Sequence, residues 1–329
     1  MTRRIIIHAG FGKCGSKSIQ AALFRNFSKL QKDGVSLFGK ELRIARTPGD
    51  FEVPIWALER ANEKREILTH RLSDEIASVT GSSTDLVEIL SAENLATPQM
   101  APLFAGLDGQ FKVSVVFYLR PQFQWIPSAW KQWGLKGGMS LNDFVSHCIS
   151  TGRPWFKLGI EAWRRTLPSA TVHVRFLIPE LLTGGDPARD FFHLIGLLPL
   201  GSYDIGTQAV NPSLDFSILH VLSKNPHLFS GVHDNRLMDA LIRALPKKFQ
   251  STNIQMLSHE EEVRIEERFR DENLSLLNTY CNGIDVDHIY RTHFMPREAS
   301  LRYSAVNDID LIYRCLGIML ELIATDPPK

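Results

Sequence analysis

The stretch RRIIIHAGFGKCGSKSIQAAL, Arg3 to Leu23, restricts the fold of this chain more than any other. An apolar run from Ile5 to Ile7 leads into a loop with three glycines and two lysines, and a helix-like segment opens at Ser18. Strand, glycine loop and helix in that order make an anion site. The first N–H groups of a helix have no acceptor within it, and its dipole favours an incoming phosphate.

Three phosphate-loop patterns compete for these residues. Gly10, Gly12 and Gly15 match the dinucleotide pattern G-x-G-x-x-G, which wants an acidic residue about 20 positions further on. Asp33 precedes the expected second strand at Val35 to Phe38, and Glu41 follows it late, so that partner is poorly placed. A Walker A loop needs its lysine directly after the last glycine, but Ser16 stands between Gly15 and Lys17. The third pattern has a lysine before the glycine and hydroxyl residues after it: Lys13, Cys14, Gly15, Ser16, then Ser18.

Further along, Pro54 to Val79 has helical periodicity with one charged face. Thr84 to Leu95 reads as a buried strand ending in a polar loop, and Phe111 to Arg120 and Ala170 to Leu177 as two more strands. Strands alternating with helices predict an α/β, P-loop-like three-layer fold: a central parallel sheet flanked by helices, with the ligand at the strands' carboxyl ends. Beyond about residue 205 the pattern turns helical, and Ser258 with Glu261 forms a capping box.

Composition narrows the function. With 329 residues, 44% of them hydrophobic, the chain can fill one domain of 1–329 with a helical elaboration toward its C-terminus. A net charge of +1 provides no field for nucleic acid or an anionic membrane, so small-molecule chemistry is expected. Cys14, Cys148, Cys281 and Cys315 lie far apart, which suggests free thiols rather than a zinc site or a disulfide framework. Neither a signal segment nor an apolar run of about 18 residues is present, so the expectation is a soluble, cytoplasmic protein.

A second motif separates the loop patterns. In YLRPQFQWIPSAWKQW, Arg120 ends a strand and Ser128 follows eight residues later. A guanidinium offers a planar fork to phosphate oxygens and a serine hydroxyl adds a donor. The Lys13 loop followed by this Arg–Ser pair resembles the 3′-phosphoadenosine 5′-phosphosulfate (PAPS)-dependent sulfotransferases. Segments such as DFFHLIGL and EERFRDENLSLLNTY extend that resemblance over most of the chain. It implies transfer of a sulfuryl group from PAPS to a hydroxyl, carbohydrate or other small-molecule acceptor, with no required metal. Acceptor-cleft segments would lie at about 45–80 and 205–300. It also implies a donor site of Lys13, Cys14, Gly15, Ser16, Lys17 and Ser18, with Arg120 and Ser128 on the 3′-phosphate. Lys17 departs from the family, which usually has a second threonine there. Pro127, just before Ser128, would break a helix or restart one. A restart would put Ser128 in a first helical turn.

The family uses a histidine or glutamate as base. Glu93 is the first candidate, because it ends the strand between the two motifs; a cap on a helix beginning near Asn94 or an ion pair with a loop lysine is its alternative role. Glu88 should face away, and His8 on the first strand competes as base or serves as a satisfied strand histidine. Trp125, Trp130 and Trp133 are at near-helical spacing, which suits core packing better than stacking on adenine. A nucleotide-dependent phosphotransferase, a dinucleotide enzyme or a non-catalytic nucleotide-binding protein remains as the alternative.

Overall fold

A strand that buries every side chain needs cover on both faces, and the sequence supplies such strands at Ile5–Gly10 and Val115–Leu119, where each residue is buried. The structure is a computed structural model describing residues 3–39, 42–51, 74–75, 87–206, 213–250, 256–297 and 308–325. In chain order its strands and α-helices are β1 (Arg4–Gly10), α1 (Ser16–Arg25), α2 (Phe27–Lys32), β2 (Val35–Leu37), β3 (Val87–Glu93), β4 (Lys112–Leu119), α3 (Gln122–Ala129), α4 (Leu141–Thr151), α5 (Phe156–Thr166), β5 (Thr171–Phe176), α6 (Pro187–Leu194), α7 (Phe216–Ser223), α8 (Arg236–Ala244), α9 (His259–Tyr280), α10 (Val286–His293) and α11 (Asp308–Thr325). The helix read at Pro54 to Val79 lies outside the described residues, apart from Asp74 and Glu75.

The chain groups into two compact units, the first made of Met1–Arg120, Pro154–Gln208 and Leu276–Asn282. It holds a five-stranded, all-parallel sheet of order β2-β3-β1-β4-β5, flanked by helices: the expected α/β, P-loop-like architecture. Helix α1 packs on β3 and α6, and α5 packs on β4. From β1 the chain crosses toward β2 on one side, and from β3 it passes over to β4 on the other. The switch point therefore lies at the carboxyl end of β1, where an open α/β sheet binds its ligand.

The second unit, Pro121–Arg153, Ala209–Ser275 and Gly283–Lys329, is helical among its described residues. Gln122 and Asn273 exchange buried amide hydrogen bonds at 2.9 and 3.0 Å, joining α3 to α9. The capping box forms as read: Glu261 N–H donates to Ser258 Oγ at 3.1 Å and Ser258 N–H to Glu261 Oε2 at 2.7 Å. The expectation of a helix restarting at Pro127 is corrected. Helix α3 begins at Gln122, directly after Pro121, and carries Pro127 inside it, so Ser128 is in its second turn rather than a first. Pro127 has no N–H to return to the preceding turn. The chain then passes through a π turn at Trp130–Gly134 and a 3₁₀ turn at Leu135–Gly137.

Candidate functional site

The loop after β1 is built on a close approach that only glycine permits. A Cβ at Gly10 would lie 2.5 Å from Ser16 Oγ and 2.9 Å from the Ala92 carbonyl oxygen. The chain then turns through Lys13 at φ 66° and Gly15 at φ 84°. A lysine in the left-handed region is strained, and such strain collects at ligand sites. Gly15 caps α1, so the helix starts at Ser16, two residues before the sequence suggested. Cys14 N–H bonds back to Phe11 O at 3.2 Å and Ser18 N–H to Gly15 O at 3.0 Å. The N–H groups of Ser16 and Lys17 have no acceptor within the helix. Ser16 Oγ is buried and has no hydrogen-bond partner among the described residues.

Two neighbouring strands bring charge to this loop. Glu93 is the last residue of β3 and pairs in register with Gly10, the last of β1. Arg120 directly follows β4. Side chains alternate along a strand, so Ser91 and Glu93 share a face with their partners His8 and Gly10, while Glu88, opposite Ile5, faces the other way.

The charges act on a common centre. Burial pushes the Cys14 thiol up to about 12; the Arg120 guanidinium, a backbone hydrogen bond from Arg120, and Lys13 pull it down, while Glu93 pushes it up. Cys14 is therefore a thiol, buried and unpaired by any disulfide. Burial raises the Glu93 carboxyl above its ordinary range, against the pull of Lys17 first and Lys13 second. Burial likewise lowers Arg120. Lys13, Lys17, Glu93 and Arg120 thus converge on one end of the sheet, three cations with one carboxylate. Ser128 lies on α3, in the second unit.

His8 is fully buried; its Nδ1 is 2.8 Å from Ser91 Oγ, and burial pulls its pKa down to about 3. It is a neutral core residue. Trp125 and Trp130 are buried too, Trp130 Nε1 donating to Met139 O at 2.7 Å, in keeping with core packing. Glu88, the second residue of β3, is buried with neither oxygen hydrogen-bonded among the described residues, and burial raises it to about 7 against the pull of Arg3.

One polar cluster in the first unit has no motif to announce it. Buried Asp190 accepts Arg175 Nη2 at 2.6 Å and Nε at 2.9 Å, Tyr118 OH at 2.8 Å and Thr183 N–H at 2.9 Å. The partners come from β5, β4 and a turn before α6. Only the buried aspartate in DFFHLIGL could have signalled it, and an aspartate in the first turn of a helix ordinarily reads as a surface charge.

No family model matches the chain, and no curated protein matches it. Among solved structures, retinol dehydratase in complex with androsterone and the inactive cofactor PAP aligns with 99% of this chain and 82% of its own, at 11% identity and a TM-score of 0.24. A likeness that slight carries no weight for the fold or the function. Among the described residues no helix is long and apolar enough to cross a membrane, and no group of three or more His, Cys, Asp or Glu could hold a metal ion.

Proposed function

We propose that this chain is a PAPS-dependent sulfotransferase acting on a hydroxyl acceptor, a carbohydrate or another small molecule. One observation carries the reading: Lys13 and Arg120 both act on Cys14, and Lys13 and Lys17 both act on Glu93, at the sheet end where an α/β protein binds its ligand. Three cations gathered at one sheet end suit a ligand with several phosphate or sulfate charges. A buried, unpartnered Ser16 Oγ and the N–H groups of Ser16 and Lys17 add neutral donors.

PAPS supplies the sulfuryl group: the acceptor oxygen bonds to sulfur, the bridging S–O bond breaks, and its electron pair leaves on the phosphate oxygen. Lys13 neutralises charge growing on that oxygen. Glu93 takes the acceptor's proton, a role its raised pKa favours and for which His8 is too deeply buried. Arg120 grips the 3′-phosphate with its planar fork.

Calorimetry with adenosine 3′,5′-bisphosphate, adenosine 5′-phosphate, ATP and NAD tests the donor. The bisphosphate should bind tightest, and a preference for ATP or NAD overturns the reading. A screen of hydroxyl acceptors with labelled PAPS then tests turnover, and tight binding without turnover of any acceptor would leave a nucleotide-binding protein.

A further inference from the structure

Helix α11 carries apolar side chains on two opposite faces, and only one of them is covered. Leu311, Cys315 and Ile318 are buried, packed on α7. On the other side Ile309 is 62% exposed, Ile312 46%, Tyr313 69%, Leu316 48%, Met319 54% and Leu320 66%. These are six of the thirteen large apolar side chains exposed among the described residues; the others are scattered along the chain as ordinary surface hydrophobics are. At 100° per residue the six fall within an arc of about 120°. Arg314 fixes the roll of the helix, because its Nη2 and Nε hold both oxygens of Asp215 at 2.8 and 3.2 Å. The stripe cannot turn inward without breaking that pair.

We infer that this stripe is the contact between two copies of the chain, α11 against α11 across a two-fold axis. Ile309, Ile312, Leu316 and Met319 follow steps of 3, 4 and 3, the spacing with which one helix presents a seam to another. A two-fold contact puts the same patch on both sides, so an apolar, uncharged seam complements itself. Six side chains of roughly 200 Å² each, about half exposed, offer on the order of 600 Å² per copy. A pair then buries about 1,200 Å², the lower edge of specific interfaces. A lipid surface fits less well. Helices that lie on anionic membranes carry several lysines or arginines, whereas DIDLIYRCLGIMLELIAT has one basic residue, Arg314, and it is tied to Asp215.

The test uses the full chain and does not depend on the nucleotide site. Sedimentation equilibrium at micromolar concentration should give a dimer. Leu316→Glu, at the middle of the seam, should weaken it at least about 100-fold, because each copy would bury a charge. Its circular dichroism and melting should stay those of the parent, and Tyr313→Lys at the stripe's edge serves as a second variant should Leu316→Glu misfold. Leu316→Cys should form an interchain disulfide under added oxidant, since a two-fold contact brings the middle of the seam against itself. A chain that stays monomeric overturns the inference, as would happen if another segment of the chain covered the stripe. So does a dimer that neither substitution weakens and that Leu316→Cys does not cross-link. A monomer that binds anionic vesicles through Leu316 would make the stripe a lipid contact instead.

Discussion

Asp190 and Glu93 are carboxylates of the same sheet-bearing unit, and their surroundings differ in kind. Burial works against the Asp190 charge, but Arg175, Thr183 N–H and Tyr118 outweigh it, and its pKa falls below the ordinary carboxylate range. Glu93 is also partly buried, but Lys17 and Lys13 do not make up for it, and its pKa rises. Around Asp190 the donors and the acceptor satisfy one another. Around Glu93 two lysines pull against burial without outweighing it. A polar cluster that closes on itself is architecture, whereas a carboxyl that burial keeps raised beside lysines suits a site that exchanges a proton.

Substitutions can break or sharpen that contrast, and the largest effect is expected on the architectural side. Asp190→Ala leaves Arg175 without its carboxylate and should lower the unfolding free energy by about 3–5 kcal/mol in a denaturant titration. The folded fraction should bind adenosine 3′,5′-bisphosphate as before; lost affinity at unchanged stability would reverse the two assignments.

Lys13→Ala should do the opposite, cutting turnover roughly 10²- to 10³-fold while the melting temperature hardly moves. Turnover within a factor of about three of the parent would remove Lys13 from the donor site, since one preorganised donor ordinarily contributes far more.

Glu93→Gln keeps the shape and removes the basicity, so kcat should fall about 10²-fold with bisphosphate affinity retained. In the parent, kcat should be full where Glu93 is ionised and fall as the pH drops through its folded pKa. Because burial raises that pKa, the fall should lie above the usual carboxylate range. A flat kcat–pH profile there, or a Glu93→Gln enzyme with normal kcat, would return Glu93 to a purely electrostatic role.

The smallest effect is the most selective. Arg120→Ala should weaken adenosine 3′,5′-bisphosphate by about 1.5–3 kcal/mol, roughly 10- to 150-fold, and adenosine 5′-phosphate much less in calorimetry. Equal weakening of both would mean that Arg120 does not read the 3′-phosphate.

What could be read from the sequence was local. The turn at Gly10 to Ser16 is written in adjacent residues, and Glu93 and Glu88 could be assigned to opposite faces by counting five positions along one strand. The Ser258–Glu261 box needs only a three-residue spacing. Asp190 was invisible for the converse reason: Tyr118 lies 72 residues away and Arg175 fifteen, and nothing local marks the three as neighbours. Helix α3 misled because a proline ordinarily signals a boundary, and here Pro121 had already provided one. The sequence could not choose between solvent and ligand for Lys17; it is exposed, yet it is the strongest charge acting on Glu93.

Glu88 makes the folding equilibrium itself a proton-uptake reaction near neutral pH. Its carboxyl titrates near 4.5 when the chain is unfolded and at about 7 in the sheet, so between those values the folded chain holds a proton that the unfolded chain has released. The stability it contributes is whole below about pH 4.5 and is lost as the pH rises through about 7, a difference of about 3 kcal/mol. Glu88→Gln should flatten that slope and raise the unfolding free energy at pH 8 but not at pH 4. Denaturant titrations at the two pH values would show it, and equal effects at both would mean that the carboxyl does not titrate in this window. Folding of the parent in weakly buffered solution at pH 6 should therefore draw protons from the medium, an uptake that an indicator dye can follow.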